Sequence, residues 1–204
     1  PEKFWTQKAK EFLDWRKEWS KCLEFDYSKA EIAWFKDGKL NVCENCVDRH
    51  IETRGDKVAI LWEGDDPKDN RSITYRELWE AVSKFANILK VHGINKGDRV
   101  AIYMPMVPEA AMAMLACARI GAIHSVIFAG FSADSIRDRI LDSECKMVVT
   151  ANQGVRGGKV IELKEIVDEA INGLECVKKV LVHRRTTEDT NIIPDRDYWL
   201  HEEM

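Results

Sequence analysis

Two short stretches of this 204-residue sequence combine glycine with groups able to hold an anion. One runs Gly154, Val155, Arg156, Gly157, Gly158, Lys159. A guanidinium and an ammonium bracketing two glycines can hold a phosphate, arginine through a forked pair of hydrogen bonds and lysine as a point charge. Sheltered charge-assisted hydrogen bonds contribute about 1.5–3 kcal/mol each. The spacing is not that of a Walker loop, which needs G-x-x-x-x-G-K-[ST]. On composition alone, a flexible loop with solvated charges explains the segment equally well. The other stretch is Phe128, Ala129, Gly130, Phe131, Ser132, where glycine permits close backbone approach and the following helix start offers free N–H groups to an anion. A plain strand-to-helix turn needs the same residues.

Other chemically suggestive residues read more simply. Cys43 and Cys46 form C-x-x-C with His50 close behind, but a zinc site needs a fourth ligand and usually a second paired spacing. The six cysteines show no framework and are expected to be free thiols in a reducing compartment. Asp48, Arg49 and His50 fit a structural salt link or a helix start, since no nucleophile or second carboxylate is tied to them. His124 is expected to be a satisfied histidine inside a buried strand, and Met104 and Met106 to fill core. No catalytic constellation and no metal-ligand set emerges.

The elements that would position the two stretches follow from periodicity. Apolar residues in strand 58–62 precede a polar loop, 63–70. Thr74 and Glu77 have capping-box spacing, and the helix they open carries Leu78, Val82, Phe85, Ala86 and Leu89 on one face, ending near Gly93. Strand 100–103 leads to a helix over 109–120, with Pro108 in its first turn and Gly121 at its end. Strand 123–128, helix 135–141, strand 146–150, helix 160–171 and strand 179–182 follow. Strands that are apolar throughout and alternate with helices predict an α/β fold with a partial, doubly wound, mainly parallel sheet. Ahead of it, Trp5, Phe12, Trp15 and Trp19 at helical intervals predict an aromatic-rich helical extension laid on a larger body, with a turn at 34–38. The expected division is 1–56 as extension and 57–204 as the main domain. The tail from 184 to 204 is polar, with no obvious closing element.

A formal net charge of −4 argues against nucleic acid as a partner. The most apolar stretch, 110–128, is broken by Arg119, Gly121 and His124 and cannot span a bilayer, so no membrane partner is expected.

Four segments carry a resemblance: Trp34-Phe35-Lys36-Asp37-Gly38-Lys39-Leu40-Asn41, Asn45-Cys46-Val47-Asp48-Arg49-His50, Tyr103-Met104-Pro105-Met106-Val107-Pro108-Glu109-Ala110, and Leu115-Ala116-Cys117-Ala118-Arg119-Ile120-Gly121-Ala122-Ile123-His124-Ser125-Val126. The chain resembles the acetyl-coenzyme A synthetases, AMP-forming acetate–CoA ligases of the adenylate-forming superfamily. The likeness runs in order through the whole chain, with residues 1–56 similar to the family's amino-terminal extension and 57–204 to the start of its AMP-binding domain. The resemblance implies a ligase that joins acetate and ATP into acetyl-adenylate with loss of pyrophosphate. The thiol of CoA then attacks after a small carboxyl-terminal domain rotates. It implies that Arg156, Gly157, Gly158 and Lys159 match the CoA-binding segment, and that Phe128 and Gly130 match the loop beside it. Two departures from the family pattern stand out. Ala129 replaces a frequent glycine, where its methyl could crowd a backbone approach, and Lys159 replaces a frequent arginine.

The phosphate loop, the adenine motif, the acetate-pocket tryptophan and the catalytic lysine lie downstream in that family. The chain is therefore expected to be a truncated amino-terminal third: inactive alone, with no ligand for the Mg2+ that accompanies ATP in the intact enzyme. Exposed apolar edges would favour self-association. The alternatives are a propionate–CoA ligase fragment and a non-catalytic, flavodoxin-like nucleotide-binding module. The cytoplasm is the expected compartment, with mitochondria as the alternative.

Overall fold

The computed structural model describes residues 1–204 and divides into two compact units, Pro1–Arg49 and His50–Met204. In the first unit, helix α1 (Glu2–Phe12) is followed by an antiparallel hairpin of β1 (Lys21–Asp26) and β2 (Glu31–Lys36), then by the short helix α2 (Val42–Cys46). The helix expected to reach Trp19 stops at Phe12. Leu13 is extended, with its amide still donating to the Ala9 carbonyl at 3.2 Å, and the Trp15 indole folds back to donate to the same carbonyl at 3.0 Å. Trp15, Trp19 and Phe35 then gather with ring centres 4.7–5.4 Å apart. Trp34 and Phe35 lie within β2, so the turn is narrower than 34–38 and centres on Asp37 and Gly38. Arg49 donates to the Phe12 carbonyl at 2.7 Å and pairs with Asp14 at 3.3 Å, a structural link as expected.

The second unit opens with α3 (Ile51–Arg54) and an antiparallel pair, β3 (Val58–Glu63) and β4 (Asn70–Thr74). Helix α4 (Tyr75–Val91) begins with the expected capping box. Glu77 accepts the Thr74 amide at 2.7 Å while its own amide reaches the Thr74 hydroxyl at 3.2 Å. Next come β5 (Arg99–Met104), α5 (Pro108–Ile120), β6 (Ile123–Phe128), α6 (Ala133–Ser143) and β7 (Met147–Ala151). A small antiparallel pair, β8 (Gly154–Arg156) and β9 (Lys159–Ile161), precedes α7 (Leu163–Ile171), β10 (Lys179–His183), β11 (Asp197–Trp199) and α8 (Leu200–Glu203). Gly121 ends α5 at φ 75°, the left-handed conformation that favours glycine.

The main sheet is parallel throughout, in the order β11-β10-β7-β5-β6. Right-handed crossovers then fix the layers. The step from β5 to β6 runs one way along the sheet and the step from β6 to β7 runs back past β5, so α5 and α6 lie on opposite faces. Ala101, Tyr103, Val148, Val180 and Val182 meet α6 and α7 in one core layer. The alternating Val100, Ile102, Val149 and Leu181 are equally buried and point to the other side.

Two expectations change here. The tail does contain a closing element, because Asp197–Trp199 adds a fifth parallel strand beside β10. And β6 is not a buried strand. It forms the sheet edge, with His124 exposed and Ile123, Val126 and Phe128 each more than half exposed. No helix is long and apolar enough to cross a membrane.

Candidate functional site

Where strand order reverses, the connections from two neighbouring strands leave toward opposite faces and open a crevice at their carboxyl ends. Here the reversal falls between β5 and β7, and the order is that of flavodoxin-like sheets. A cavity of about 580 Å³ occupies this place. Met104, Pro105 and Val107 from the β5 exit line it, together with Phe128 from the end of β6 and Arg156 from the hairpin after β7.

The stretch at 154–159 is a hairpin and not a loose loop. Gly157 and Gly158 sit at φ +56° and +73°, which fits a two-residue turn of the type that matches strand twist. Val155 faces Val160, and Arg156 faces Lys159 directly across the pair. Val160 and Ile161, expected to start the helix, instead belong to β9, and α7 begins at Leu163. The hairpin brings both cations together at its tip, exposed and without a carboxylate partner. Arg156 also lines the cavity, with its guanidinium 5.4 Å from the centre of the Phe128 ring, a cation–π contact. Lys159, Gly157 and Gly158 lie outside the cavity wall.

The second stretch is fixed from below. Tyr103, fully buried, donates its hydroxyl to the Phe131 carbonyl at 3.0 Å, and burial raises its pKa above the usual phenol value so that the donor proton stays in place. Gly130 is required by its neighbour. A methyl built there would come within 2.6 Å of Phe128, the ring that carries Arg156. Ala129 packs against the core and also lines the cavity.

Three site residues escaped the sequence reading. Asn152, fully buried at the end of β7, accepts the amide of Arg185 at 2.9 Å and donates to Glu188 O at 2.7 Å, pinning the segment after β10. Arg185 and Trp62 complete the cavity wall. The indole N–H of Trp62 donates to the Met106 carbonyl at 2.7 Å. Met106 itself is 90% exposed and fills no core, whereas Met104 is buried. For Trp62 the signal was a large aromatic at a strand end, just before a polar loop. Asn152 offered no local signal.

Near this edge of the sheet, Glu109 accepts from Arg71 at 2.7 Å and stands 3.7 Å from His183. Burial lowers the His183 pKa below the usual imidazole value; Glu109 opposes that shift, and Arg71, Arg185 and His201 reinforce it. No nucleophile–base pair forms, and no group of three or more His, Cys, Asp or Glu side chains could hold a metal ion. Cys43 is buried and Cys46 exposed, and all six cysteines are free thiols. The arrangement can bind a molecule that carries phosphate at one end and an apolar or flexible portion at the other.

Residues 47–203 match the family model of AMP-binding enzymes, and residues 1–46 match that of the acetyl-coenzyme A synthetase N-terminus. An acetyl-coenzyme A synthetase from Saccharophagus degradans is 54% identical over 99% of this chain and 31% of its own length. Acetyl-coenzyme A synthetase 2 from Pseudomonas aeruginosa is 54% identical over 100% of this chain and 32% of its own. Among solved structures, acetoacetyl-CoA synthetase from Streptomyces lividans superposes with a TM-score of 0.87 at 25% identity, over 98% of this chain and 30% of that one. The chain thus spans about a third of the length of the relatives it matches.

Proposed function

Because the chain belongs to the AMP-binding enzyme family and opens with an acetyl-coenzyme A synthetase amino terminus, we propose that it is the amino-terminal part of an acetate–CoA ligase. That ligase makes acetyl-CoA from acetate, ATP and CoA through an acetyl-adenylate. This part holds the phosphorylated end of CoA and contributes no catalytic group. The observation that carries the reading is the hairpin. It mounts Arg156 and Lys159 side by side, unpaired, at the mouth of a cavity on the sheet's topological switch point. A phosphate between them gains two charge-assisted contacts, while Phe128 and the β5 exit offer apolar surface to the rest of the ligand.

The family-matched residues divide by role. Arg156 and Lys159 would contact phosphate, and Gly157 and Gly158 set the turn that aligns them. Gly130 leaves room for Phe128, and Phe128 supports the arginine. No group of three or more His, Cys, Asp or Glu side chains here could hold the Mg2+ that accompanies ATP. Acetate, ATP and CoA as partners, and a cytoplasmic location where those pools occur, belong to the same proposal.

The test is kinetic, in a full-length ligase carrying this chain as its amino-terminal third. Arg156→Ala and Lys159→Ala are each expected to raise KM for CoA by about 10-fold or more, the worth of one sheltered charge-assisted hydrogen bond. KM for acetate and ATP should stay within twofold. An unchanged KM for CoA in the double variant refutes the assignment. The chain alone, given acetate, ATP and CoA, is expected to form no acetyl-CoA.

A further inference from the structure

Trp62, half-buried on the cavity wall, is held at two points. Its edge donates to the Met106 carbonyl at 2.7 Å, and the Arg185 guanidinium lies 5.2 Å from its ring centre. Arg185 is in turn fixed twice. Its guanidinium bonds Asp69 at 2.7 Å, and its amide is accepted by Asn152 at 2.9 Å. One indole therefore links three chain segments: the β3–β4 pair it belongs to, the turn leaving β5, and the segment after β10.

The turn leaving β5 needs such support. In this turn Val107 N bonds Pro105 O at 2.8 Å and Val107 O accepts the Ala110 amide at 3.0 Å, while the Met106 side chain points out to solvent. Met104, Pro105 and Val107 nonetheless form part of the apolar wall of the cavity, and the Pro105 side chain faces the base of the hairpin, 3.7 Å from where a methyl at Gly154 would sit. A shift of this turn therefore moves part of the apolar wall.

We propose that Trp62 is a positioning residue for CoA: its indole fixes the turn leaving β5 and the segment after β10, and so sets the cavity against which the hairpin cations work. The proposal rests on the reading of that cavity as the CoA site. Trp62 touches no reacting atom, so its effect belongs to the thioester-forming half of the reaction.

Two substitutions separate its contacts. Trp62→Phe keeps a ring beneath Arg185 but removes the N–H donor; Trp62→Ala removes both. In the full-length ligase, Trp62→Phe is expected to raise KM for CoA about 3- to 10-fold, the loss of one hydrogen bond. Trp62→Ala should raise it more than 30-fold. Acetate-dependent ATP–pyrophosphate exchange, which needs no CoA, should stay within twofold of the parent and reports on folding in the same sample. If Trp62→Ala does not fold, Trp62→Phe alone decides. The proposal fails if KM for CoA is unmoved in Trp62→Phe, or if exchange falls by the same factor. Arg156→Ala, run alongside, tells the two failures apart. A CoA effect for Arg156 without one for Trp62 removes only the positioning role, whereas no CoA effect for either removes the reading of the cavity as well.

Discussion

Replacing Lys164 with methionine should destabilise the second unit by about 3–5 kcal/mol, the usual cost of removing one partner from a buried ion pair. Lys164 is fully buried in the first turn of α7. Its ammonium lies 2.7 Å from both carboxylate oxygens of Asp168, 2.8 Å from Asp197 and 2.9 Å from the Asn191 carbonyl. Arg196 bonds the same two aspartates, so the group holds two cations and two anions and is neutral. Methionine matches the length of lysine and should keep the packing. What it removes is the charge, leaving one unbalanced carboxylate in a cluster whose Asp197 is fully buried. Urea unfolding followed by circular dichroism measures the loss. With a slope of about 2–3 kcal/mol per molar, the midpoint should fall by roughly 1–2 M. Lys164→Met combined with Asp197→Asn restores neutrality and should recover at least about 1 kcal/mol. A midpoint shift under about 0.5 M, or a double variant less stable than the single one, would refute this account. Acid acts on the same group. Burial tends to raise the Asp197 pKa, but its bonds to Arg196, the Ile193 amide and Lys164 outweigh that and hold it below the ordinary carboxylate value of 3.8. Its stabilising contribution is therefore complete above that value and is lost as pH falls through the lower, folded-state pKa.

Gly130→Ala should displace the Phe128 ring from beneath Arg156, because the new methyl would lie 2.6 Å from it. The expected reading is a several-fold rise in KM for CoA with unchanged exchange kinetics. His183 is favoured neutral in the fold, so the unfolded chain takes up a proton near pH 6.5 that the folded chain refuses. Stability should then decline as pH drops below about 6.5, and His183→Gln should flatten that part of the urea-midpoint profile. Identical slopes between pH 7 and 5 in parent and variant would count against it.

Elements with strong local signals were legible in the sequence. The Thr74–Glu77 box and the Pro108–Gly121 bracket located α4 and α5 because caps act over three or four residues and depend on nothing distant. The hairpin at 154–161 was read as loop and helix because Val160, Leu163, Val167, Ala170 and Ile171 keep helical spacing, and that longer pattern masked a three-residue strand. The strand at 197–199 could not be read locally at all. It brings Asp197 into a buried position where Arg196, the Ile193 amide and Lys164, the last far away in the chain, together hold its charge. The placement of β6 had the opposite problem: Ile123 to Phe128 looks like a strand covered on both sides, and position within a sheet is not written in one strand's composition. At the site, the cations and glycines were visible as a motif, while Trp62, Arg185 and Asn152 depend on contacts between segments.

The open side of β6 also bears on biosynthesis. It presents six residues of unpaired backbone whose side chains, His124 and Ser125 apart, are apolar, and no lysine or proline blunts it. In a protein of the relatives' length, ribosomes finish this edge, which ends at Phe128, with about four-fifths of the polypeptide still to be made. At about 5–20 residues per second, that leaves it facing the cell interior for tens of seconds. Over such an interval the edge is a template on which another extended strand can pair.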